Sequence, residues 1–530
     1  MSAPPGERLS RRRLLGLAGG AGIAAAVGFT VPILSRQDQT GKLLPSQIPL
    51  PRPFQVPLPV PPMLAPGRHP DFPGADFFEI RQLVTRQEIL PGVPTEIWGY
   101  NGTFPGPTLT SRSGVRTVVR HHNNLNVPTV THLHGGHTPP GSDGFPTDLL
   151  YPQTHPGLPM NAMPGMATMG KPDPQAHTTT GKRDYHYPMT QRAATLWYHD
   201  HRMNFTAQSV YRGLAGFHLV HDAEEARIPL PDADRDIPLM IADRSFAADG
   251  SLLYPALDPT TLTTPGTTDP YMGGVLGDVI LVNGAPWPVL DVAAVRYRFR
   301  LLNASNARRY QLTLSPPPAD GTAFIQIGSD GGLLANPVHH TTIDIAPAER
   351  FDVVIDFSRY TTGQEITLTN QLGSETTARV MRFRVARREA DGSNVPDQLS
   401  TMEHIPVSQA QQTRSFSFQN HDRRTWTINS KEFDPTHPIA TPRLDATEIW
   451  RFTTDLHHSI HLHLVQFQVI ARNGKPPGAY DAGWKDTIDL KPAEEAAIIA
   501  RFTDYPGRYV MHCHNLEHED MAMMTTFTVT

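Results

Sequence analysis

The stretch His512-Cys-His-Asn-Leu-Glu-His518-Glu-Asp-Met-Ala-Met523, close to the C-terminus, decides how the rest of the chain is interpreted. Successive side chains of a β-strand point to opposite faces, so residues i and i+2 share one face. His512 and His514 therefore point one way, and Cys513 between them points the other way. The stretch predicts a strand that supplies ligands to two different metal sites.

The pattern His-x-His occurs four times in the sequence. One such pair is weak support for a metal site in a chain with 25 histidines, but four pairs, two near each end of the folded region, are hard to explain by chance. Eight imidazoles on shared faces can hold adjacent metal ions. The pairs are His132 and His134, His199 and His201, His461 and His463, and His512 and His514.

A second ligand set surrounds Cys513, the only cysteine of the chain. A solitary cysteine cannot form an intramolecular disulfide, and most solitary cysteines are small buried hydrophobes. Here, however, His518 follows five residues later, Met523 five after that, and His458 lies three before His461. Two histidines, a thiolate and a methionine are the ligands of a blue copper electron-transfer site. The backbone at Cys513 would then connect two metal sites covalently.

Composition predicts an all-β protein of about three domains. The 530 residues are enough for three domains of ordinary size. The 52 prolines and 41 glycines separate short apolar runs, as is typical of many strands rather than long helices. Because 46 Lys and Arg stand against 51 Asp and Glu without a long basic run, nucleic acid is excluded as the expected partner. A small molecule is the expected partner.

Alternating apolar segments and turn signals divide the chain into three β domains. A proline-dense arm precedes them, and a polar stretch of poor periodicity separates the last two. The predicted ranges are a lead-in arm at 36–74, domains at 75–225, 226–387 and 413–530, and a linker at 388–412.

The first 35 residues have the pattern of a targeting segment. Ser10-Arg11-Arg12-Arg13-Leu14-Leu15 precedes an Ala- and Gly-rich apolar stretch, which is the twin-arginine signal pattern. A retained N-terminal membrane anchor is the competing interpretation, because the stretch is long enough to span a bilayer. Its mild hydrophobicity favours a signal. We expect export to the periplasm, the cell envelope or the medium, with no stable membrane partner beyond the export machinery.

The two metal motifs make a family resemblance recognisable. His458-Ser-Ile-His461-Leu-His463 and the stretch from His512 to Met523 resemble the copper motifs of multicopper oxidases. Other segments resemble the branch of bacterial spore-coat laccases and bilirubin oxidase, and together the likeness runs from about residue 77 to the end. These segments are His132-Leu-His-Gly-Gly, Trp197-Tyr-His-Asp-His201, Leu302-Asn-Ala-Ser-Asn306, Ile327-Gly-Ser-Asp-Gly-Gly332 and Ala346-Pro-Ala-Glu-Arg350.

The resemblance implies three cupredoxin-like Greek-key domains and four copper ions. His458, Cys513, His518 and Met523 match the ligands of the mononuclear type 1 copper in the third domain. His132 and His461 match those of the type 2 copper between the first and third domains. The coupled type 3 pair is matched by the other six histidines of the four pairs: His134, His199, His201, His463, His512 and His514.

Two carboxylates match acidic positions that the resemblance implicates in oxygen chemistry. Asp143 follows the first histidine pair, and Glu519 follows His518. Carboxylates near a cluster of cations can stay ionised and move protons. The alternative is a turn aspartate and a solvated glutamate.

Other histidines and methionines near the motifs have structural interpretations. His457 lacks the spacing to His461 and is expected at the surface or behind the ligands, and His137 is not expected to be a ligand. Met521 and Met524 are wrongly spaced for the axial position and are expected to pack in the core.

These patterns predict a laccase-like enzyme that oxidises phenols, aromatic amines or bilirubin-like compounds by one electron and reduces O₂ to water. The donor is expected to dock at the edge of His518, in an entrance shaped by the loops 263–275 and 373–377. One alternative is a cuprous oxidase, favoured by the soft thioethers of Met160, Met163, Met166 and Met169. Another is a copper-binding or structural envelope protein without turnover. The oligomeric state is left open.

Overall fold

The regular secondary structure of the described residues is mostly β-strand, as the sequence predicts. A computed structural model describes residues 40–153, 173–421 and 425–530. The predicted signal at 1–35 and the methionines from Met160 to Met169 lie outside the described residues. Within the described ranges, no helix has the length and apolar character that a membrane crossing requires.

Two facing sheets form a first β-sandwich. One has the strand order β10-β6-β3-β2 with β4 on β3, and the other has the order β5-β12-β11-β7. Apolar side chains from both sheets, such as Phe78, Leu109 and Leu196, share one buried core. The strands up to residue 221 are β1 (Lys42–Leu44), β2 (Gly67–Arg68), β3 (Asp76–Leu90), β4 (Val93–Tyr100), β5 (Gly106–Arg112), β6 (Thr117–Asn123), β7 (Thr131–His134), β8 (Leu150–Tyr151), β9 (Thr179–Thr180), β10 (Lys182–Tyr187), β11 (Ala194–Asp200) and β12 (Ala215–His221).

A second sandwich follows, with sheets ordered β16-β15-β13-β18-β23-β20-β21 and β17-β25-β24-β19-β22. Its core includes Phe299 from one sheet and Phe383 from the other. Its strands are β13 (Asp236–Arg244), β14 (Val275–Gly277), β15 (Val279–Val282), β16 (Ala285–Pro286), β17 (Val289–Ala293), β18 (Arg296–Asn303), β19 (Tyr310–Ser315), β20 (Phe324–Ser329), β21 (Gly332–His340), β22 (Ile343–Ile345), β23 (Arg350–Asp356), β24 (Glu365–Asn370) and β25 (Arg379–Arg387).

The third sandwich contains the motif that opened the sequence analysis. Its sheets are ordered β27-β26-β28-β32-β30 and β31-β29-β33-β34, and Trp450, Met511 and Phe527 belong to its core. Its strands are β26 (Gln412–His421), β27 (Thr425–Ile428), β28 (Thr447–Thr454), β29 (His458–Leu462), β30 (Phe467–Arg472), β31 (Thr487–Leu490), β32 (Glu495–Arg501), β33 (Gly507–Cys513) and β34 (Met524–Val529).

Helices are few and short in the described ranges. They are α1 (Pro140–Asp143), α2 (Thr206–Arg212) and α3 (Leu516–Asp520), together with single 3-10 turns at Glu225–Arg227, Ala233–Arg235, Phe357–Arg359, Glu375–Ala378, Val407–Gln409 and Ala479–Asp481. Helix α1 carries Asp143, and helix α3 carries both His518 and Glu519. Helices α1 and α3 therefore place side chains at the predicted sites.

The proline-dense arm runs along the first two sandwiches. Its strand β1 pairs in parallel with β14, and further along, the amide of Leu58 donates to the carbonyl of Val289. Near its end, Leu64 and Pro62 exchange backbone hydrogen bonds with Thr108. The arm thus joins the second sandwich to the first.

The sheets of the three sandwiches follow one another along the chain. The three sandwiches cover 67–221, 236–387 and 412–529, and no helix or strand forms between Arg387 and Val407, a stretch that the structure describes throughout. The exact domain boundaries stay predictions.

Candidate metal centres

Strands β29 and β33 place the third-sandwich ligands on two sides of one sheet. They are antiparallel, with Ile460 opposite Cys513 and His461 opposite His512. Because neighbouring residues alternate in direction, Cys513 joins the core of the third sandwich together with Met523, whereas His512 lies against His201 of the first sandwich. The alternation predicted from the sequence therefore separates two side-chain clusters.

The first cluster brings together His458, Cys513 and His518. The Cys513 Sγ atom lies 3.4 Å from His458 Nδ1 and 3.6 Å from His518 Nδ1, and the two Nδ1 atoms are 3.3 Å apart. All three side chains are buried. Met523 is also fully buried, and its carbonyl accepts a hydrogen bond from the amide of Cys513. This is a soft donor set that suits copper.

In both imidazoles of this cluster, the ring nitrogen that faces away from Cys513 contacts an oxygen acceptor. His458 Nε2 lies 3.0 Å from Asp455 Oδ1, and His518 Nε2 lies 3.2 Å from the carbonyl oxygen of Gly273. Since carboxylates and carbonyls only accept, each Nε2 carries the proton and each Nδ1 presents its lone pair to the thiol side. Trp426 stacks on His518 with ring centroids 3.5 Å apart.

The second cluster collects all eight histidines of the four pairs. His132 and His134 come from β7, His199 and His201 from β11 and the residue after it, and the other four from β29, β33 and the residues that follow them. Each of the eight side chains is at most 1% exposed. Several groups of three have nitrogens within 4.8 Å of one another, including His201, His463 and His512. The cluster lies between the first and third sandwiches.

Hydrogen bonds fix which nitrogen of each ring is free. The Nδ1 atoms of His132 and His461 lie 2.5 and 2.9 Å from the carbonyl oxygens of Asp143 and Asp486, so these nitrogens donate. Their Nε2 atoms then face each other with bare lone pairs only 3.3 Å apart. Two such lone pairs repel each other unless a cation lies between them. This arrangement fits a bound metal ion.

The remaining rings lead to the same conclusion. The Nε2 atom of His512 lies 3.2 Å from that of His201 and 3.3 Å from that of His463. Five further nitrogens of the cluster are buried without a hydrogen-bond partner: His134 Nδ1, His199 Nε2, His201 Nδ1 and both ring nitrogens of His514. Buried polar atoms are rarely left unpaired, so these unpaired nitrogens are also suited to bind metal.

Electrostatics keep the cluster in its metal-binding form. Burial lowers the pKa of His199 to about 3 and that of His201 to about 4, and it lowers the pKa of His132, His463 and His514 well below the ordinary value. The imidazoles are therefore neutral and can donate lone pairs. Burial also raises the pKa of the Cys513 thiol, so formation of the thiolate requires a bound metal.

The two predicted carboxylates both touch the eight-histidine cluster. Asp143 Oδ2 lies 2.8 Å from His463 Nδ1, and Glu519 Oε2 lies 3.1 Å from His512 Nδ1. Burial raises the pKa of Asp143 well above its ordinary value. Burial also opposes ionisation of Glu519, but the nearby His512 and His201 outweigh it and lower the pKa of Glu519 to about 2. Neither residue is a solvated surface side chain.

A narrow cavity borders the cluster. It has a volume of about 10 Å³, is lined by His132, His461 and Asp486, and passes Val465 and Gln466. The same two residues line a surface pocket of about 350 Å³ that also contains His137. The cavity is about the size that one water molecule needs.

The residues predicted not to be ligands have other roles. His137 contacts the Leu464 carbonyl at 3.0 Å and Asp504 at 2.8 Å. Met524 is buried in a core with Phe145, and Met521 packs against the core of the third sandwich. His457 is buried rather than at the surface.

The two predicted entrance loops differ in position. Gly273 of the 263–275 loop contacts His518, whereas Thr376 of the 373–377 loop accepts a hydrogen bond from Trp287 in the second sandwich. His518 itself is fully buried. A donor at its edge would therefore meet Gly273 and the ring of Trp426 before the imidazole.

Sequence reasoning missed Trp426, Asp455 and Asp486, and it included Gly273 only as a member of the 263–275 loop. None of them belongs to a ligand motif, and all but Asp455 reach their histidine through the fold rather than by spacing in sequence. Asp455 could have been proposed from the sequence, because it lies three residues before His458.

Comparison with known proteins agrees with this geometry. Family models described as multicopper oxidase match residues 84–155 and 163–225, and residues 405–530. The chain is 38% identical to a laccase of Bacillus subtilis over 82% of this chain and 91% of that protein. It is 34% identical to a bilirubin oxidase of Albifimbria verrucaria over 90% and 81%.

A solved structure is similar over nearly the whole length. A laccase from Pediococcus acidilactici has 30% identity and a TM-score of 0.77, covering 92% of this chain and 96% of its own. Together with the buried histidine clusters, these similarities confirm the family predicted from the motifs. The chain belongs to the multicopper oxidases, copper-dependent oxidoreductases that use O₂.

Proposed function

We propose that the protein oxidises small aromatic reductants by one electron at the Cys513 cluster and reduces O₂ to water at the eight-histidine cluster. Phenols, aromatic amines and bilirubin-like tetrapyrroles are the proposed donors. The names of the Bacillus and Albifimbria relatives, laccase and bilirubin oxidase, agree with this substrate class.

The position of Cys513 is the observation that carries the proposal. Its thiol lies 3.4 Å from His458 in one cluster, while its chain neighbours His512 and His514 belong to the other. An electron accepted at the thiol therefore needs to pass only a few covalent bonds to reach the second cluster. A protein that merely stores copper has no need of this connection.

We propose a ligand assignment that follows the resemblance. His458, Cys513, His518 and Met523 hold the type 1 copper, His132 and His461 hold the type 2 copper, and the other six histidines hold the coupled pair. The facing Nε2 atoms of His132 and His461 support the second of these sites. Bound copper would supply one-electron acceptance at the first site and O₂ reduction at the cluster.

The covering of His518 supports outer-sphere electron transfer. Trp426 lies on one face of the ring and Gly273 at its edge, so a donor can approach without displacing a metal ligand. Such transfer places few demands on donor geometry. This agrees with a broad range of aromatic donors.

Asp143 and Glu519 are proposed to relay the protons that O₂ reduction consumes. Each lies beside a histidine of the cluster, with contacts to His463 and His512, and each is shielded from bulk water. For a proton-transferring group in such a position, a fixed distance to the reacting oxygen matters more than exposure to solvent.

The test combines metal analysis with O₂ consumption on the copper-loaded protein. We expect four copper ions per chain, intense blue absorption and O₂ uptake with a phenolic dye. The variant Cys513→Ser is expected to keep its fold but to lose the blue absorption and the activity, because a hard hydroxyl cannot replace a thiolate towards copper.

Other outcomes of this experiment would favour the alternatives. Faster turnover of Cu(I) than of the dye would favour a cuprous oxidase, and bound copper without O₂ uptake would favour a non-catalytic copper protein. Blue absorption that survives in Cys513→Ser would overturn the site assignment.

Export by the twin-arginine route is a further part of the proposal. The support is the Arg11-Arg12-Arg13 pattern and the apolar stretch behind it. Arg12→Lys together with Arg11→Lys and Arg13→Lys is expected to leave the protein inside the cell, as fractionation would measure. Normal export of that variant would contradict the proposal.

A further inference from the structure

Two motifs of the second sandwich contribute no predicted copper ligand. They are Ile327-Gly-Ser-Asp-Gly-Gly332, at the turn between β20 and β21, and Ala346-Pro-Ala-Glu-Arg350, which leads into β23. The structure brings their charged residues together. Both motifs converge on Asp486, at the start of β31 in the third sandwich.

Arg350 is the centre of this contact. It is fully buried, and its guanidinium makes a two-pronged ion pair with Asp486, in which Nη1 donates to Oδ1 at 2.8 Å and Nη2 donates to Oδ2. The remaining donors bond to the carbonyl of Thr195 at 3.0 Å and that of Ala348 at 2.9 Å. Every part of the guanidinium therefore has an acceptor, and the fork is fixed in one orientation.

Asp330 accepts hydrogen bonds from the backbone amides of both Arg350 and Asp486. Its Oδ1 atom accepts from the Arg350 amide at 2.7 Å, and its Oδ2 atom accepts from the amides of Asp486 and Thr487 at 3.3 Å. Lys485 balances the additional charge, with its Nζ atom 3.2 Å from Asp330 Oδ2. One carboxylate therefore ties the second sandwich to the backbone on both sides of the Asp486 side chain.

Asp486 contacts two histidines of the cluster in opposite ways. Its Oδ1 atom lies 3.0 Å from His134 Nε2, while its backbone carbonyl lies 2.9 Å from His461 Nδ1. The carboxylate therefore accepts a hydrogen bond from Nε2–H of His134, which leaves His134 Nδ1 without a proton. The carbonyl accepts from Nδ1–H of His461, which leaves His461 Nε2 without a proton. His134 Nδ1 is indeed buried without a partner.

The local sequence around His134 is adapted to this contact. Gly135 has a φ of +85°, and a Cβ atom there would lie 2.7 Å from Arg350 Nη2 and 2.9 Å from Asp486 Oδ2. The glycine after His134 thus leaves room for the ion pair to approach the ligand strand.

We propose that Arg350 and Asp330 are positioning residues that fix the Asp486 carboxylate, and through it the tautomer and direction of the His134 ring. The second sandwich would in this way control how the cluster binds copper without donating a ligand. The inference rests on the proposed assignment of His134 and His461 to the cluster.

The test compares two variants of Arg350 and one variant of Asp486 with a control variant. Arg350→Met removes the fork, and Arg350→Lys restores a charge but not the two-pronged geometry. Asp486→Asn keeps the size of the side chain and disrupts the pair with Arg350. Arg298→Met is the matched control, because Arg298 is a buried arginine of β18 paired with Asp352 and Glu225 and lies in the same sandwich.

We expect Arg350→Met and Asp486→Asn to weaken copper binding at the cluster by about 10- to 100-fold, the usual effect of losing a residue that orients a metal-bound histidine. A chelator titration followed by metal analysis measures this loss. Blue absorption from the Cys513 site should persist in both variants. Arg350→Lys should lie between wild type and Arg350→Met, and Arg298→Met should lower the unfolding temperature without selective loss of cluster copper.

The outcomes separate this inference from the proposed function. If the wild-type cluster holds no copper, the proposed function fails. If wild type holds copper and Arg350→Met and Asp486→Asn hold it equally well, only the positioning role is wrong. Equal loss in Arg298→Met would also overturn it, because the effect would then be general destabilisation. Should Arg350→Met fail to fold, Asp486→Asn decides the question.

Discussion

Single atoms determine which side of each imidazole faces a metal. The carbonyls of Asp143 and Asp486 hold Nδ1 of His132 and His461, whereas the Asp486 carboxylate holds Nε2 of His134. Three rings of the same chemical type therefore present different nitrogens. The spacing His-x-His predicts proximity, but only these partners define the donor atom.

Replacing Met523 with Leu tests the axial position of the mononuclear site. Leu has a similar volume, so packing should change little. Loss of a weak axial thioether favours Cu(I) over Cu(II), and we expect the reduction potential of the blue copper to rise. Redox titration of the blue absorption measures it. Met521→Leu is the control, since Met521 packs at the edge of the core, and an equal effect there would contradict the assignment.

Replacing Glu519 with Gln separates proton delivery from copper binding. The amide keeps the size of the side chain but cannot ionise, so copper content and reduction of the mononuclear site should be preserved. Reoxidation by O₂ should slow by on the order of 10²-fold. Stopped-flow measurements resolve the two half-reactions.

Glu517→Gln provides the control in the same helix. Glu517 is also buried, but it bonds to Tyr254 and Asn306 rather than to the cluster. Its reoxidation rate should stay near that of wild type. Unchanged reoxidation in Glu519→Gln, or loss of copper from the cluster, would remove the proton-delivery role.

Sequence patterns predict residues that act by their own spacing and miss those that act through the fold. Cys513 and His518 are five residues apart, and local spacing was enough to propose them together. Trp426 reaches His518 from a different sheet, and Arg350 reaches Asp486 from a different sandwich. No periodicity in one chain encodes contacts of that kind.

At the level of strands, alternation was a reliable guide because one face of each sheet is buried. Alternating apolar segments predicted strands in three domains, and β12, β15 and β30 are examples of such strands, one from each sandwich. The proline-dense arm was predicted from its composition, but its pairing with β14 had no local signal. Parallel partners more than 200 residues apart are set by packing.

Leu44 tests how firmly the arm is attached. It is buried with Tyr211 and Val275. Val275 begins β14, two residues after Gly273, which contacts His518. Leu44→Ala should reduce the free energy of unfolding by about 2 kcal/mol, near the lower limit for buried leucines because the side chain lies at the edge of its cluster. Thermal unfolding measures the loss. Leu43→Ala, at an exposed position, should change stability by less than about 0.5 kcal/mol.

At the level of the whole molecule, the eight-histidine cluster joins the first sandwich to the third. The first sandwich supplies His132, His134, His199 and His201, and the third sandwich supplies the other four histidines. Copper bound there adds bonds between parts of the chain that otherwise meet through side-chain packing and hydrogen bonds, such as the one between Asp143 and His463.

Removing copper should therefore lower the unfolding temperature of the whole protein. A ligand at 100 times its Kd stabilises the folded state by about 2.7 kcal/mol, and copper restored to the chelated protein should recover this amount. Calorimetry with and without chelator measures the shift. Cys513→Ser should show most of the same shift, because its eight-histidine cluster is intact, and no shift in either protein would contradict a metal bridge.

The distance along the chain between the two halves of the cluster has a consequence for biosynthesis. His132 and His461 meet in space although 329 residues separate them in sequence. A ribosome adds about 5–20 residues per second, so the first four histidines are made tens of seconds before their partners. During that interval a half-built site of bare imidazoles cannot enclose a metal ion. We therefore expect the complete cluster to take up copper only after translation has passed His514.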